Sequence, residues 1–168
     1  MKTIFFIGRS GSGKSTACKY IYKQYDISFF SLDKYLPRES INPGLTAEVS
    51  LEKVQKEIKA LESNELRNTV DVGAWFQKEM PIEFWQKRKD HLVLVKRDKE
   101  QCFQSFCNRQ EDRQPSNEEL KTRFEDNEFK SSKRIALYEL ASWIIENDDS
   151  EESFIQKVEN LVMKRLFT

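Results

Sequence analysis

One segment near the start of the chain combines glycines, a lysine and two hydroxyl groups in a spacing that could hold phosphate. Glycines let backbone N–H groups approach phosphate oxygens closely, and a helix that begins at about Lys14 adds the positive end of its dipole. The Lys14 side chain can reach β- and γ-phosphates, and the Ser15 hydroxyl can ligate Mg²⁺. The segment follows the pattern G-x-x-x-x-G-K-S-T and comprises Gly8, Arg9, Ser10, Gly11, Ser12, Gly13, Lys14, Ser15 and Thr16.

The surroundings of this segment support a phosphate-binding loop. The apolar run 3–7 precedes it, and 16–25 has helical spacing of apolar residues. A Gly/Ser-rich turn between a strand and a helix is the alternative, but such a turn does not require Gly-Lys-Ser-Thr at this register. We therefore predict a nucleoside triphosphate site, with the Arg9 side chain free to point either to phosphate or to solvent.

Two carboxylates follow other apolar runs. Asp33 comes directly after 27–32 and could accept a hydroxyl proton or hold a water on Mg²⁺, or it could cap the turn that begins at the next residue. Asp71 ends another apolar run, where it could orient a metal shell or pair with Lys14. Gly73 would let a substrate approach the backbone.

Four arginines are candidates for binding anions. Arg109 and Arg113 lie in the polar stretch 109–117, which predicts a lid that closes over ATP, although a solvated loop with internal ion pairs is the alternative. Arg38 follows the second apolar run and could bind an acidic substrate. Arg134, late in the next helical segment, is a further candidate for phosphate or substrate.

The segments that must position these groups alternate between strand and helix patterns. Such alternation predicts a three-layer α/β fold with a five-stranded parallel sheet covered by helices on both faces. Ligands in such sheets bind at the carboxyl ends of the strands, where the candidate loop, carboxylates and glycine all fall. The predicted strands are 3–8, 27–32, 69–73, 92–95 and 143–145. The predicted helices are 16–25, 47–61, 81–85, 98–109, 116–140 and one that follows 148–150.

Composition limits the range of partners. The 168 residues suit one domain, 1–168, and 28 basic residues balance 28 acidic ones, so no overall charge favours nucleic acid or anionic lipid. The three cysteines have neither a metal-site nor a C-x-x-C spacing, and no apolar stretch is long enough to span a bilayer. We expect a cytoplasmic protein, a monomer or weak dimer, with a small-molecule substrate and no nucleic acid or membrane partner.

The chain resembles shikimate kinase, within the small P-loop kinases related to nucleoside monophosphate kinases. The resemblance rests on the loop 8–16, on Ser31-Leu32-Asp33-Lys34 beside the family's D-x-D-K, and on 134–138 beside its R-x-P-L-Y. It implies a P-loop NTPase fold with a small lid at about 109–117, and ATP and Mg²⁺ as cofactors. It also implies that Asp33 helps to activate the substrate hydroxyl and that Arg134 contacts substrate or phosphate.

The chain departs from the family pattern mainly on the substrate side. Ser31 replaces the first Asp of D-x-D-K, which helps to organise Mg²⁺, although Asp71 could substitute from the neighbouring strand. Only Gly73 remains of the family's three glycines, and the predicted helix 47–61 lacks the family's arginine for the substrate carboxylate. The nucleotide half of the pattern is kept and the shikimate half is altered.

These observations favour an ATP-dependent phosphotransferase that moves the γ-phosphate to a hydroxyl of a small metabolite. Lys14 would hold the phosphates, Asp33 would orient or deprotonate the acceptor, and Arg109 or Arg113 would close over the γ-phosphate. Shikimate, another metabolite, a nucleoside or a nucleotide fits as the acceptor. ATP is preferred over GTP only by resemblance. The alternative is a P-loop nucleotide-binding switch, or a slow NTPase, that acts through a protein partner.

Overall fold

A computed structural model describes residues 2–109, 116–127 and 132–167. Its five strands form one sheet in the order β2-β3-β1-β4-β5, and every neighbouring pair is parallel. The predicted five-stranded parallel sheet is therefore confirmed, with the strand that precedes the glycine-rich loop at its centre. The strands are β1 (Thr3–Ile7), β2 (Ser28–Ser31), β3 (Asn68–Asp71), β4 (Leu92–Lys96) and β5 (Trp143–Glu146).

The described part of the chain has eight α-helices, which connect the strands and cover the sheet. Two short 3₁₀ segments, Leu32–Tyr35 and Lys89–His91, follow β2 and precede β4. Within the described ranges, no helix combines the length and apolar composition needed to cross a bilayer. The helices are α1 (Lys14–Tyr25), α2 (Ala47–Ser63), α3 (Ala74–Glu79), α4 (Ile82–Gln86), α5 (Lys99–Asn108), α6 (Asn117–Asn127), α7 (Ser132–Leu140) and α8 (Glu151–Arg165).

The central strand contributes to a separate apolar core on each face of the sheet. Successive side chains of a strand point to opposite faces. Phe5 and Ile7 pack with residues of α2, α3, α4 and α7, whereas Ile4 and Phe6 pack with residues of α1 and α8. Because both faces are covered, β1 is apolar throughout, and the predicted three-layer arrangement is confirmed.

A third, smaller apolar cluster joins α5 to α6 beside the predicted lid. Phe106 and Phe124 pack with their ring centroids 5.6 Å apart, together with Cys102 and Leu120. The Asp98 carboxylate accepts hydrogen bonds from the first turn of α5, as its capping pattern predicted. Most of the predicted lid, residues 110–115, lies outside the described residues.

The structure differs from the predicted helices in the segment before β4. Between β3 and β4 we predicted one short helix, 81–85, whereas the structure has both α3 and α4. Six residues are too few for helical periodicity to be read from a sequence, so α3 escaped prediction. Helices α6 and α7 lie at the two ends of the predicted helix 116–140, and residues 128–131 between them lie outside the described residues.

Candidate nucleotide and acceptor site

The glycine-rich loop between β1 and α1 needs its glycines for both conformation and space. Gly8, Gly11 and Gly13 have φ angles of +140°, +81° and +110°, which favour glycine. A Cβ atom on Gly11 would lie 2.2 Å from the carbonyl oxygen of Cys102, and one on Gly8 would lie 2.4 Å from that of Val95. The loop is therefore packed against the strand and helix behind it.

Gln77 of α3 holds the first glycine of this loop on two sides. Its Nε2 donates to the Gly8 carbonyl at 3.0 Å and to the Val72 carbonyl at 2.6 Å, while its Oε1 accepts from the Gly8 N–H at 3.1 Å. Gln77 is only 2% exposed. Nothing in the sequence pointed to this residue, because α3 itself was not predicted.

Two more side chains fix carbonyl groups farther along the loop. Arg97 Nη1 donates to the Gly11 carbonyl at 3.0 Å, and Asn147 Nδ2 donates to the Ser12 carbonyl at 2.8 Å. Both residues come directly after a strand, β4 or β5, so the rule that ligand sites lie at the carboxyl edge could have identified them. Side chains from outside the loop thus fix its backbone before any ligand binds.

Lys14 is directed back onto the loop that precedes it. Its Nζ donates to the carbonyl oxygens of Gly8 at 3.0 Å and Arg9 at 2.8 Å. Burial lowers the pKa of Lys14, and the nearby carboxylates of Asp71 and Asp33 partly oppose this shift. The two carboxylates favour the charged form of this buried amine, and a charged lysine on a glycine-rich loop can bind a phosphate group.

Ser15 and Asp71 form a pair that fits a divalent cation. The Ser15 hydroxyl donates to Oδ2 of Asp71, a carboxylate that is 4% exposed. The other oxygen, Oδ1, is buried without a hydrogen-bond partner in the described part of the chain. No group of three or more His, Cys, Asp or Glu side chains there could hold a metal. A cation held by Ser15 and Asp71 would therefore need phosphate oxygens and water as further ligands, as Mg²⁺ commonly does.

Asp33 lies against Gly73 across the edge of the sheet. It belongs to the 3₁₀ segment after β2, and a Cβ atom on Gly73 would fall 1.8 Å from its Oδ1. The space beside Gly73 therefore holds the Asp33 carboxylate. Solvent reaches Asp33 from the mouth of a cleft, yet partial desolvation and then the charge of Asp71 raise the pKa of this carboxyl, against the opposing effects of Lys14, Arg38 and Arg109. A carboxylate with a raised pKa is a better proton acceptor at neutral pH.

Two clefts meet at the loop. The larger cleft, about 530 Å³, also includes Thr16, Arg97 and Asn147, whereas the smaller cleft, about 190 Å³, includes Ser10 and Asp33. A small molecule in one cleft would therefore lie beside a molecule in the other. Four residues line both clefts, namely Gly11, Lys14, Ser15 and Arg109.

The predicted arginines lie in different environments. Arg109 ends α5 and lines both clefts, and the exposed Arg38 lines the smaller one. Arg134 is 2% exposed on α7 and lines neither cleft among the described residues, but its charge contributes to lowering the pKa of Lys14. The carbonyl of Arg9 accepts from Lys14, and Arg113 lies outside the described residues.

Comparisons with known proteins extend across the whole chain at the level of structure. A shikimate kinase from Bacteroides thetaiotaomicron has a TM-score of 0.68 and 18% sequence identity, with 99% of each chain covered. A shikimate kinase from Acinetobacter baumannii in complex with shikimate has a TM-score of 0.64 and 16% identity, covering 99% of this chain and 94% of that one. A gluconokinase from Sinorhizobium meliloti 1021 has a TM-score of 0.59 and 16% identity, covering 98% and 97%.

Sequence comparisons add no closer relative. No family model matches the chain, and no curated protein matches its sequence. Each structural match covers nearly the full length of this chain and of the matched chain, so the similarity is not confined to the glycine-rich loop. The chain therefore has the fold of the small P-loop kinases, as its resemblance to shikimate kinase predicted.

Proposed function

We propose that this protein is an ATP-dependent phosphotransferase that moves the γ-phosphate of ATP to a hydroxyl group of a small molecule. The observation that carries this proposal is the meeting of the two clefts at Lys14, Ser15 and Arg109, with Asp33 in the smaller cleft alone. Phosphoryl transfer requires the donor and the acceptor to lie in line, with positive groups around the transferred phosphorus. The junction of the two clefts supports the first requirement, and the positively charged side chains of Lys14 and Arg109 beside it support the second.

The larger cleft would take the nucleotide. Its wall contains the first turn of α1, where backbone N–H groups lack helical partners and attract anions. Lys14 would move from the loop carbonyls to the β- and γ-phosphates. Ser15 and Asp71 would hold Mg²⁺, which when bound neutralises charge on the phosphate oxygens.

Asp33 would act on the acceptor in the smaller cleft. The acceptor hydroxyl would donate a hydrogen bond to its carboxylate, which orients the oxygen toward the γ-phosphorus. A bond then forms between that oxygen and phosphorus, the bond from phosphorus to the β,γ-bridging oxygen breaks, and the hydroxyl proton passes to Asp33. Arg109 would counter the charge on the transferred group.

The smaller cleft suits a compact acceptor with both polar and apolar surfaces. Leu36, Trp75 and Phe106 provide apolar walls, and Arg38 could pair with a negatively charged group. We therefore propose a hydroxylated carboxylic acid; the structural matches include kinases named for shikimate and gluconate. The zero net charge supports a small substrate rather than nucleic acid or membrane. We further propose that the protein acts in the cytoplasm as a monomer or weak dimer.

An acceptor screen tests the proposal. The purified chain with Mg²⁺ and ATP would be supplied with hydroxylated acids, sugars, nucleosides and nucleotides, and ADP release would be coupled to NADH oxidation. We expect one class of acceptor to raise the rate, and the rate to fall in the Asp33→Asn variant. Nucleotide binding with hydrolysis that no acceptor changes would contradict a transferase and favour the switch alternative.

A further inference from the structure

The carbonyl group of Gly8 has two hydrogen-bond donors in a buried setting. Lys14 Nζ donates to its oxygen at 3.0 Å, and Gln77 Nε2 donates to the same oxygen at 3.0 Å. Gly8 itself is buried, so this carbonyl has little access to water. The two donors also differ in freedom, because Gln77 is fixed by further bonds to the Gly8 N–H and to Val72.

Binding of a phosphate group changes the role of one donor and not the other. Lys14 must turn away from the loop carbonyls to reach the phosphates. A buried carbonyl that loses its only partner carries a full desolvation penalty, which would oppose that movement. Gln77 has no such second role, since its three bonds are all to backbone groups of Gly8 and Val72, which directly follow β1 and β3.

We infer that Gln77 is a positioning residue that keeps the Gly8 carbonyl paired when Lys14 turns to the phosphates, and thereby strengthens the binding of phosphorylated nucleotides. The inference rests on the nucleotide half of the proposed function. It requires neither an identified acceptor nor transfer. It also explains why an uncharged, buried glutamine lies next to a buried lysine.

The direct test replaces Gln77 with methionine, which is similar in length and volume but has no N–H donor. Binding of Mg·ADP, Mg·ATP and adenosine would be measured by calorimetry at one salt concentration. We expect affinity for ADP and ATP to fall about tenfold, which corresponds to the free energy of one buried hydrogen bond. Adenosine should bind as it does to the parent chain, because it carries no phosphate to draw Lys14 away.

A matched control is available on α2. Gln55 is half-buried, and its Nε2 contacts the Met80 sulfur at 3.6 Å, with no bond to the loop. Gln55→Met should leave nucleotide affinity unchanged. Thermal unfolding of both variants separates a loss of stability from a loss of binding, and Gln77→Leu serves if Gln77→Met does not fold.

A double substitution with Lys14→Met isolates the mechanism. Without the lysine, the Gly8 carbonyl has the same partners in the free and bound states, so Gln77→Met should cause no further loss of ADP affinity. An equal loss for ADP and adenosine, an undiminished tenfold loss in the Lys14→Met background, or lower stability with unchanged affinity would each overturn the inference. If the parent binds ADP but transfers phosphate to no acceptor, only the transferase proposal fails. If the parent does not bind ADP, both fail.

Discussion

The glycine-rich loop and the smaller cleft present different kinds of chemical group to a ligand. The loop presents backbone groups, and Gln77, Arg97 and Asn147 hold its carbonyls from three directions. The smaller cleft presents side chains, and three of them, Asp33, Arg38 and Arg109, are exposed. The loop is thus the fixed side of the site, because its backbone is held in place. The smaller cleft is the replaceable side, because side chains line it.

This difference explains why the two halves of the proposed reaction are not equally defined. A frame of backbone N–H groups binds phosphate whatever the rest of the ligand is. Side chains on a turn can change without disturbing the sheet, so the acceptor can change while the fold remains. Proteins named as shikimate kinases and as a gluconokinase match this fold at 16–19% identity, which agrees with that view.

A substitution on the fixed side should have the largest effect on activity. Lys14→Met removes the only lysine side chain that lines both clefts in the described part of the chain. We expect kcat/KM for ATP to fall on the order of 10³-fold, as when one preorganised donor to a developing charge is lost. Steady-state kinetics with the best acceptor of the screen would measure this change.

Lys19 gives a matched control for that substitution. It lies in the first part of α1 and lines the larger cleft, but it is exposed and does not line the smaller cleft. Lys19→Met should reduce kcat/KM far less than Lys14→Met does. Similar losses in the two variants would mean that general positive charge, rather than the position of Lys14, accounts for nucleotide binding.

Much of the fixed side could be predicted from sequence because its signals are local. Nine consecutive residues specify the loop, and short apolar runs ending at Asp33 and Asp71 specify the neighbouring strands. The carboxyl-edge rule could have identified Asn147 as a residue of the site, but the bonds that Gln77 and Asn147 make to the loop could not be predicted. They join residues 69 and 135 positions apart, and only the folded sheet brings such residues together.

Breaking the replaceable side at its proposed base should reduce turnover and spare binding. Asp33→Asn keeps the shape of the side chain but removes its ability to accept a proton. We expect kcat to fall on the order of 10²-fold, with little change in the affinity for Mg·ADP. A variant that loses ADP binding and turnover in proportion would contradict the role of Asp33 as a base.

The same substitution should stabilise the fold at neutral pH. The pKa of Asp33 is raised in the folded protein, so the folded state binds this proton more tightly than the unfolded chain does. Stability therefore falls as pH rises from the ordinary Asp pKa through the raised one, and the penalty persists above it. Removing the charge should raise the free energy of unfolding at pH 7 and weaken this pH dependence, as urea denaturation at several pH values would measure.

A substitution that displaces the Asp33 side chain without changing its identity should have a smaller effect. Gly73 has an ordinary negative φ of −61°, so alanine suits its backbone, but the new methyl group would collide with the Asp33 carboxylate. We expect Gly73→Ala to lower kcat about tenfold by moving this group out of line. In an Asp33→Ala background the same substitution should have no further effect on kcat. A full additional loss there would show that Gly73 acts on the acceptor directly.

The role of Gly73 also marks a limit of sequence reasoning. The sequence predicted that a substrate approaches this glycine; in the structure Gly73 lines the smaller cleft, and the Asp33 carboxylate, from the 3₁₀ segment after β2, lies in the space beside it. Arg134 gives a similar case, because its position in the sequence predicted contact with phosphate or substrate but did not indicate that the fold buries it on α7. Spacing along a chain identifies the edge on which a residue lies but not what fills the volume beside it.

The smallest expected effect concerns the charge balance around Asp33. Arg38 is one of the cations that oppose the rise in the pKa of this carboxyl. Removing a nearby positive charge disfavours the ionised form, so Arg38→Ala should raise that pKa further. The acidic limb of the pH profile of kcat/KM should then move to higher pH.

Lys34→Ala is the control, since this neighbouring exposed lysine pairs with Glu57 and is not among the groups that shift the pKa of Asp33. A limb that moves equally in both variants, or toward lower pH in Arg38→Ala, would mean that another group controls it. Lower acceptor affinity without any movement of the limb would assign Arg38 to substrate binding alone.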